Sequence, residues 1–496
     1  MLFNSLNFLI FFPIVLFIYF LSPFRFRWFI LLAASCIFYM FFVPVYILIL
    51  GFTIVIDYIA GILIESAEGK RKKLYLIMSL VSNIGILAVF KYYNFFIGNV
   101  NGLMTLSGGD FQFTFLKIIL PIGLSFHTFQ AMSYTLEVYR GNQKAERHFG
   151  IYSLYVMFFP QLVAGPIERP QNMLHQFHTK HKFDFDLVMS GLNLMFWGFF
   201  KKMVIADRLT FFIDPVFANP EKYSGLPILI SIVFFAFQIY CDFSGYSDIA
   251  IGAARIMGFR LMINFNQPFT ATSVTEFWRK WHISLYSWFN DYLFTPILVS
   301  KRNWGKYAIY YALFITFFLS GLWHGAAWTY IIWGCLHAVA LIYEVITKGI
   351  RKSLSKKIPT YIYSMVSRLF VFCFLCFAWI FFRASSIKNA FAFIKGIGGL
   401  FNPQANKGLT NIDHYMMLWP QEIAYSSIGT LNFFVGIGGI AILIIVEYFL
   451  RKQLVNHLGL SRLVYDLKPA FYAVALMVFI LFAIFTNGKQ FIYFQF

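Results

Sequence analysis

The sequence predicts an all-α polytopic membrane protein. Charge is scarce: 12% of the 496 residues are Asp, Glu, Lys or Arg, against about 25% in a soluble globular domain. Apolar residues make up 59% and fall in repeated long runs, with a mean hydropathy of +0.69. The alternating pattern of an outer-membrane strand is absent, so the spans are helical, each satisfying its own backbone polar groups.

A span needs about 20 apolar residues. The runs that meet or approach this length are Leu9–Leu21, Phe29–Phe42, Tyr46–Ile64, Leu76–Phe90, Phe115–Leu136, Ile151–Val163, Leu187–Val204, Leu226–Cys241, Ala308–Leu322, Ala326–Ile346, Leu369–Phe382, Phe433–Leu450 and Ala470–Phe485. Several are too short for a straight crossing. About 11–13 membrane segments are expected, re-entrant or half-helices included. Met1 to Leu21 has no basic leader and no small-residue cleavage site before the next span, so it reads as the first helix rather than a signal peptide.

The formal charge of +19 does not point to nucleic acid, because the basic residues sit in short clusters between apolar spans. Arg25 and Arg27, Lys70 to Lys73, Arg140 to Arg147, Lys348 to Lys357 and Arg451 to Arg462 are the candidate cytoplasmic clusters. The loops Asn94–Thr114 and Ser385–Gly429 are poorer in basic residues and should face outward. An outside N-terminus fits the first five spans, and the last three then leave Phe496 outside. The middle, Ile151 to Leu322, does not parse as simple up-down helices. It holds Pro160, Pro166, Pro170 and Pro268 and many polar residues. Irregular backbone at membrane depth is tolerated only inside protein or along a cavity, so the middle builds a site and the ends scaffold it. No internal repeat is visible, which weighs against a secondary transporter.

His324 lies inside 37 residues, Tyr307 to Tyr343, that contain no Asp, Glu, Lys or Arg. A titratable group at membrane depth is by default a functional candidate. Gly321 and Gly325 bracket it, where the backbone could break or approach a ligand. His282 lies upstream. If Glu276 to Tyr292 is a helix, Phe277, Trp281, Leu285, Trp288 and Tyr292 form a stripe at spacings of three and four. His282 then sits beside that stripe on an interfacial or re-entrant amphipathic helix. His337 is expected to pack within its span. Asp242 and Asp248, at the end of a span, either cap a helix starting at Ile249 or orient a histidine. His175, His178 and His181 recur every three residues in a basic loop that looks solvated; no metal site is expected. The five cysteines show no disulfide or metal framework, and Cys373 and Cys376 read as packing residues.

Five segments, taken in order, resemble the membrane-bound O-acyltransferase family, and most of all its bacterial alginate O-acetylase-like branch. They are Pro121 to Gln130, Pro160 to Ile167, Asp242 to Asp248, Phe277 to Leu285 and Gly321 to Gly325. The opening Leu2 to Ser5 and the segment Phe377 to Arg383 look like the same branch. The resemblance implies one domain over 1–496, with a catalytic core at 115–346 and scaffold helices at 1–114 and 365–496. It implies helices ringed around a central tunnel. It matches His324 to the family's catalytic histidine and His282 to its second active-site polar residue, with no metal. It implies acetyl-CoA as a donor rather than a tightly bound cofactor. It also implies an extracytoplasmic partner with a Ser-His-Asp site that completes transfer to a polysaccharide, such as an alginate-like exopolysaccharide or peptidoglycan, from a protein of the cell membrane. The rivals are D-alanyl or other acyl transfer to teichoic acid or a lipid, and a polysaccharide transporter. The last would spread charges along several spans, and these spans carry few.

The charge alternation generates a topology test. Arg71→Cys should stay unlabelled by an impermeant thiol reagent in intact cells, while a cysteine added at either terminus should label above the native-cysteine background. Labelling at position 71 would invert the topology.

Overall fold

The computed structural model describes residues 1–109, 111–117, 120–401 and 427–452, with Ala483 and Phe491. All regular structure among them is helical. Most of the expected span Ala470–Phe485, the Arg451–Arg462 cluster beyond Lys452, the C-terminal Phe496 and the centre of the loop Ser385–Gly429 lie outside the described residues.

The chain opens with a hairpin of α1 (Leu6–Leu21) and α2 (Phe24–Met40), turned at Ser22 and Pro23. The Ser5 hydroxyl accepts from the Phe8 N–H and caps α1. A second hairpin joins α3 (Ile47–Ser66) to α4 (Gly69–Leu87). α4 continues through a π turn, Ala88–Tyr92, into α5 (Tyr93–Leu106). This 38-residue rod, Gly69–Leu106, is about 57 Å long at 1.5 Å per residue, well beyond a hydrocarbon core of about 30 Å. Then come α6 (Leu124–Arg140), α7 (Phe149–Met157), α8 (Pro170–Phe177) and α9 (Phe185–Phe199). α9 runs through a π segment, Phe200–Ala206, into α10 (Asp207–Ala218). The long α11 (Leu226–Ile256) precedes three short helices, α12 (Val274–Trp278), α13 (Ile283–Phe289) and α14 (Thr295–Ser300). The chain continues through α15 (Lys306–His324), α16 (Trp328–Ile346), α17 (Lys348–Lys357), α18 (Thr360–Arg383), α19 (Ile387–Ile397) and α20 (Ser427–Lys452).

Seven stretches among the described residues are long and apolar enough to cross a membrane. Other expected spans are shorter or broken, for identifiable reasons. The run Phe115–Leu136 becomes helical only at Leu124, after Gly123 takes a left-handed φ of 79°. The run Ile151–Val163 stops being helical at Met157, short of Pro160. Leu6, Phe17 and Leu21 are each about two-thirds exposed (68, 68 and 69%), as lipid-facing side chains must be.

The buried side chains form two clusters. The first gathers α1 to α4, α6 to α8 and the second half of α11, from Phe243 to Ile256. The second gathers α10, α12, α16, α18, α19 and the first half of α11, from Ile228 to Cys241. α11 is therefore the shared mast of the fold. The seam between clusters runs between Trp281 and Leu285, and again between Trp323 and Trp333. Both candidate histidines lie on it.

α9 meets α11 through two glycine pairs seven residues apart. A Cβ on Gly198 would stand 2.6 Å from the Gly245 carbonyl oxygen, and one on Gly191 would stand 2.7 Å from that of Gly252. Small residues let backbones approach where no hydrophobic force drives helices together in lipid. Just past the crossing, the π segment turns Lys201 and Lys202 toward α11. Lys201 pairs with Asp248 (2.7 Å) and donates to the Ser244 hydroxyl (2.8 Å). Lys202 pairs with Asp207 (3.0 Å) and with Asp242. Asp242 and Asp248 thus lie inside a helix that continues to Ile256, paired with lysines, and they do not cap one at Ile249. At this depth a carboxylate needs a cation more than a helix needs a cap.

Gly245→Val should therefore abolish detergent-extractable, monodisperse protein. Gly85→Val on α4, whose Cβ would meet nothing within 4 Å, should leave it intact. Size-exclusion chromatography of the solubilised variants reads both, and a monodisperse Gly245→Val protein would contradict the glycine crossing.

Candidate active site

His324 is the last residue of α15, and the next helix starts only at Trp328. The break lies inside the protein: His324 is 4% exposed. Its ring meets Trp323 (4.8 Å between centroids, 77°), Trp333 (4.9 Å, 82°) and Phe382 (5.3 Å, 72°), all edge to face. Gly321 and Gly334 let α15 and α16 touch backbone to backbone, since a Cβ on Gly334 would lie 3.1 Å from Gly321 Cα. Gly325 has an ordinary extended backbone (φ −166°) and makes room for the Tyr330 ring. The expectation for these glycines is thus met by close approach rather than by special backbone geometry.

His282 does not lie on one amphipathic helix. α12 ends at Trp278, α13 starts at Ile283, and His282 stands between them with a left-handed φ of 46°. Gln267 is the other non-glycine residue with positive φ among the described residues. Such a conformation is uncommon and costs energy outside glycine. Of the stripe read at helical spacing, Phe277 lies on α12, Leu285 and Trp288 on α13, Trp281 in the break and Tyr292 in the π turn that follows, and its members enter different clusters. His282 is 1% exposed, so the segment is buried rather than interfacial.

Asn264 holds this break. Its backbone C=O accepts from the Ile283 N–H (2.9 Å). Its side-chain oxygen accepts from the Ser284 N–H (3.2 Å) and hydroxyl (2.9 Å), and lies 3.1 Å from His282 Nδ1. A backbone N–H can only donate, so the amide oxygen faces this cluster. His282 Nδ1 must then carry its proton toward Asn264, which in the neutral ring leaves the lone pair on Nε2. Phe243 (4.6 Å) and Phe126 (6.0 Å) wall the ring. Trp323 stands between the two histidines, 6.4 Å from His282 and 4.8 Å from His324 between centroids.

Second neighbours fix this arrangement. Glu344 on α16 accepts from the Val274 N–H (2.6 Å), the Thr275 N–H (3.0 Å) and the Thr275 hydroxyl (2.7 Å), tying the start of α12 to α16. Trp278 Nε1–H donates to His337 Nδ1 (3.2 Å). His337 therefore serves as a link between helices, packed within its span.

Two cavities flank the histidines. One of about 280 Å³ is lined by Thr275, Arg279 and Val345 and reaches Phe317 and Ser320, one turn short of His324. The other, about 40 Å³, is bounded by Lys91, Pro121, Ser125, Phe126, Trp323 and His324. The smaller one touches His324, and the larger one ends a turn away at Ser320.

Sequence reading missed Lys91, Tyr92 and Asn264. It ended the span at Phe90 and left Lys91 outside, whereas the rod continues to Leu106. A lone lysine in an otherwise apolar stretch was the available signal. The three loop histidines pair separately: His178 with Glu146 (2.8 Å), His181 with the Gln176 carbonyl (2.9 Å), His175 with the Gln171 carbonyl (3.0 Å). No group of three metal-ligating side chains occurs among the described residues, and Cys373 and Cys376 are free thiols.

Residues 148–387 match the family model of membrane-bound O-acyltransferases. The chain is 39% identical over 398 residues to the probable alginate O-acetylase AlgI of Pseudomonas syringae pv. tomato, covering 79% of this chain and 74% of that one. It is 32% identical over 503 residues to the peptidoglycan O-acetyltransferase of Helicobacter pylori, covering 94% and 91%. A teichoic acid D-alanyltransferase of Bacillus subtilis is 30% identical over 287 residues, covering 55% and 71%. This buried histidine pair is thus carried by an acyltransferase, and the chain belongs to the membrane-bound O-acyltransferase family.

Proposed function

We propose that this protein moves acetyl groups from a cytoplasmic donor, acetyl-CoA, across the cell membrane for O-acetylation of an extracytoplasmic polysaccharide. The observation that carries the reading is His324 at a helix break, bordering one cavity and one turn from another that Arg279 helps to line. The names of the relatives, alginate O-acetylase and peptidoglycan O-acetyltransferase, support acetyl as the cargo and a glycan as its destination.

The chemistry needs a base, alignment and a dry site. A hydroxyl oxygen attacks the thioester carbonyl carbon while the His324 imidazole takes its proton. The C–S bond breaks as the tetrahedral intermediate collapses, and the imidazolium returns the proton to the thiolate. His282, with its Nδ1–H fixed on Asn264, presents Nε2 to orient the hydroxyl or the acyl group. The hydroxyl belongs to an extracytoplasmic partner with a Ser-His-Asp site, which passes acetyl to the glycan. The loop Ser385–Gly429, the longest outward connection in the sequence, has His414 as its only histidine, which favours a separate acceptor enzyme. A D-alanyl cargo is the second reading, favoured by the teichoic acid D-alanyltransferase relatives; strict dependence on a small acidic carrier protein would mark it.

His324→Ala should abolish glycan acetate in a complemented deletion strain while the protein accumulates normally. His282→Ala and Asn264→Ala should each lower the rate by about 10²–10⁴-fold. Normal acetate with His324→Ala would remove that residue from the mechanism, and a silent His282→Ala would reduce His282 to a packing role.

Reconstituted in liposomes with acetyl-CoA and glycan, the protein should transfer acetyl to the glycan only when the partner is added. Efficient glycan acetylation by the membrane protein alone would show that its own tunnel serves the final acceptor.

A further inference from the structure

We propose that Lys91 and Tyr92 are positioning residues that clamp the end of α15 and so fix where His324 stands; this rests on the reading of His324 as the base. A helix that stops leaves its last carbonyls without intrahelical donors. At membrane depth there is no bulk water to supply them. α15 stops at His324, so the carbonyls of Leu322, Trp323 and His324 need donors from elsewhere. They find them on the distant rod Gly69–Leu106. The Tyr92 hydroxyl donates to the Leu322 carbonyl at 2.9 Å. The Lys91 ammonium donates to the Trp323 carbonyl at 2.6 Å and the His324 carbonyl at 3.2 Å. The three contacts secure three successive residues, ending on the histidine itself.

The clamp has features beyond those of an ordinary helix cap. It is delivered by the π turn Ala88–Tyr92, and such turns recur at functional sites. Lys91 also lines the small cavity that touches His324, and its ammonium lies 5.8 Å from the centre of the Trp323 ring. A lysine at this depth is costly unless its donors are used. Here they hold the backbone of the residue that would perform the chemistry, together with the indole that separates the two histidines. Displacing a reacting group by about 1 Å can cost about 10²-fold in rate, so the clamp should act on turnover rather than on donor binding.

The test uses Lys91→Met, Lys91→Arg and Tyr92→Phe in the full-length protein, with His324→Ala in parallel. Glycan acetate per protein molecule is measured in cells. With the partner and acetyl-CoA in liposomes, kcat and KM are separated. Lys91→Met should lower kcat at least about tenfold, with KM for acetyl-CoA and the melting temperature in detergent little changed. Lys91→Arg should recover part of the loss, and Tyr92→Phe should lose several-fold. Wild-type turnover in a folded Lys91→Met protein would overturn the proposal. If Lys91→Met does not accumulate, Tyr92→Phe decides, and wild-type turnover there overturns it. Retained activity in His324→Ala would instead overturn the reading beneath it, whatever the Lys91 variants do.

Discussion

Backbone that leaves the helix at membrane depth must find hydrogen-bond partners inside the protein, and this fold depends on how it does so. Asn264 does this at a buried break, and three other amide side chains pair with non-helical backbone in more exposed segments. Asn94 exchanges two bonds with the backbone of Leu116 (2.8 and 2.9 Å), and Asn101 does the same with Phe113 (2.9 and 2.8 Å). Gln176 bonds both the N–H (2.8 Å) and the carbonyl (2.9 Å) of Arg260. Asn264 serves the start of α13 and His282. An amide side chain carries one acceptor and two donors in one plane, so it can pair with a peptide unit as a neighbouring strand would. It thereby satisfies the backbone of a non-helical connection without a second strand or helix beside it.

Those connections are what allow the two packed clusters to meet at a seam. A continuous helix from Glu276 to Tyr292 would present one apolar stripe to one partner. The break at His282 instead sends Trp281 into one cluster and Leu285 into the other. The break after His324 has a similar effect, with Trp323 in the first cluster and Trp333 in the second. A histidine at each break is therefore set where the clusters join. There, cavities persist because two independently packed surfaces do not interlock as tightly as one core.

The legible parts of the sequence were those governed by local pattern. Charge scarcity and apolar runs gave the helical membrane fold, and the charge-free stretch around His324 singled out that residue. The prolines and glycines of the middle marked it as irregular. The illegible parts were decided across long separations. Nothing near Asn264 announces that it will hold residues 283 and 284, and nothing near Lys91 announces a helix end more than 200 positions away. The stripe from Phe277 to Tyr292 misled because two short helices either side of a left-handed residue can keep the spacing of one. Asp242 and Asp248 misled because their partners, Lys202 and Lys201, come from another segment some 40 residues earlier, inside the run Leu187–Val204.

That last pairing also bears on the site. Asp242 is one residue from Phe243, whose ring packs on His282 at 4.6 Å. An isolated carboxylate so near an imidazole, in a medium of low dielectric constant, would interact with it strongly. Here the charge meets Lys202 on the α9 side, while the Phe243 ring faces the histidine. Lys201 and Asp248 answer each other in the same way. The glycine crossing of α9 and α11 makes these pairs possible, because it brings the lysines within reach. The same close approach that joins the two helices thus draws the membrane-buried charges together on one side of α11. His282 is left among the Phe243 and Phe126 rings and the Asn264 amide, whereas His324 keeps one cation close by, the Lys91 ammonium that donates to its carbonyl.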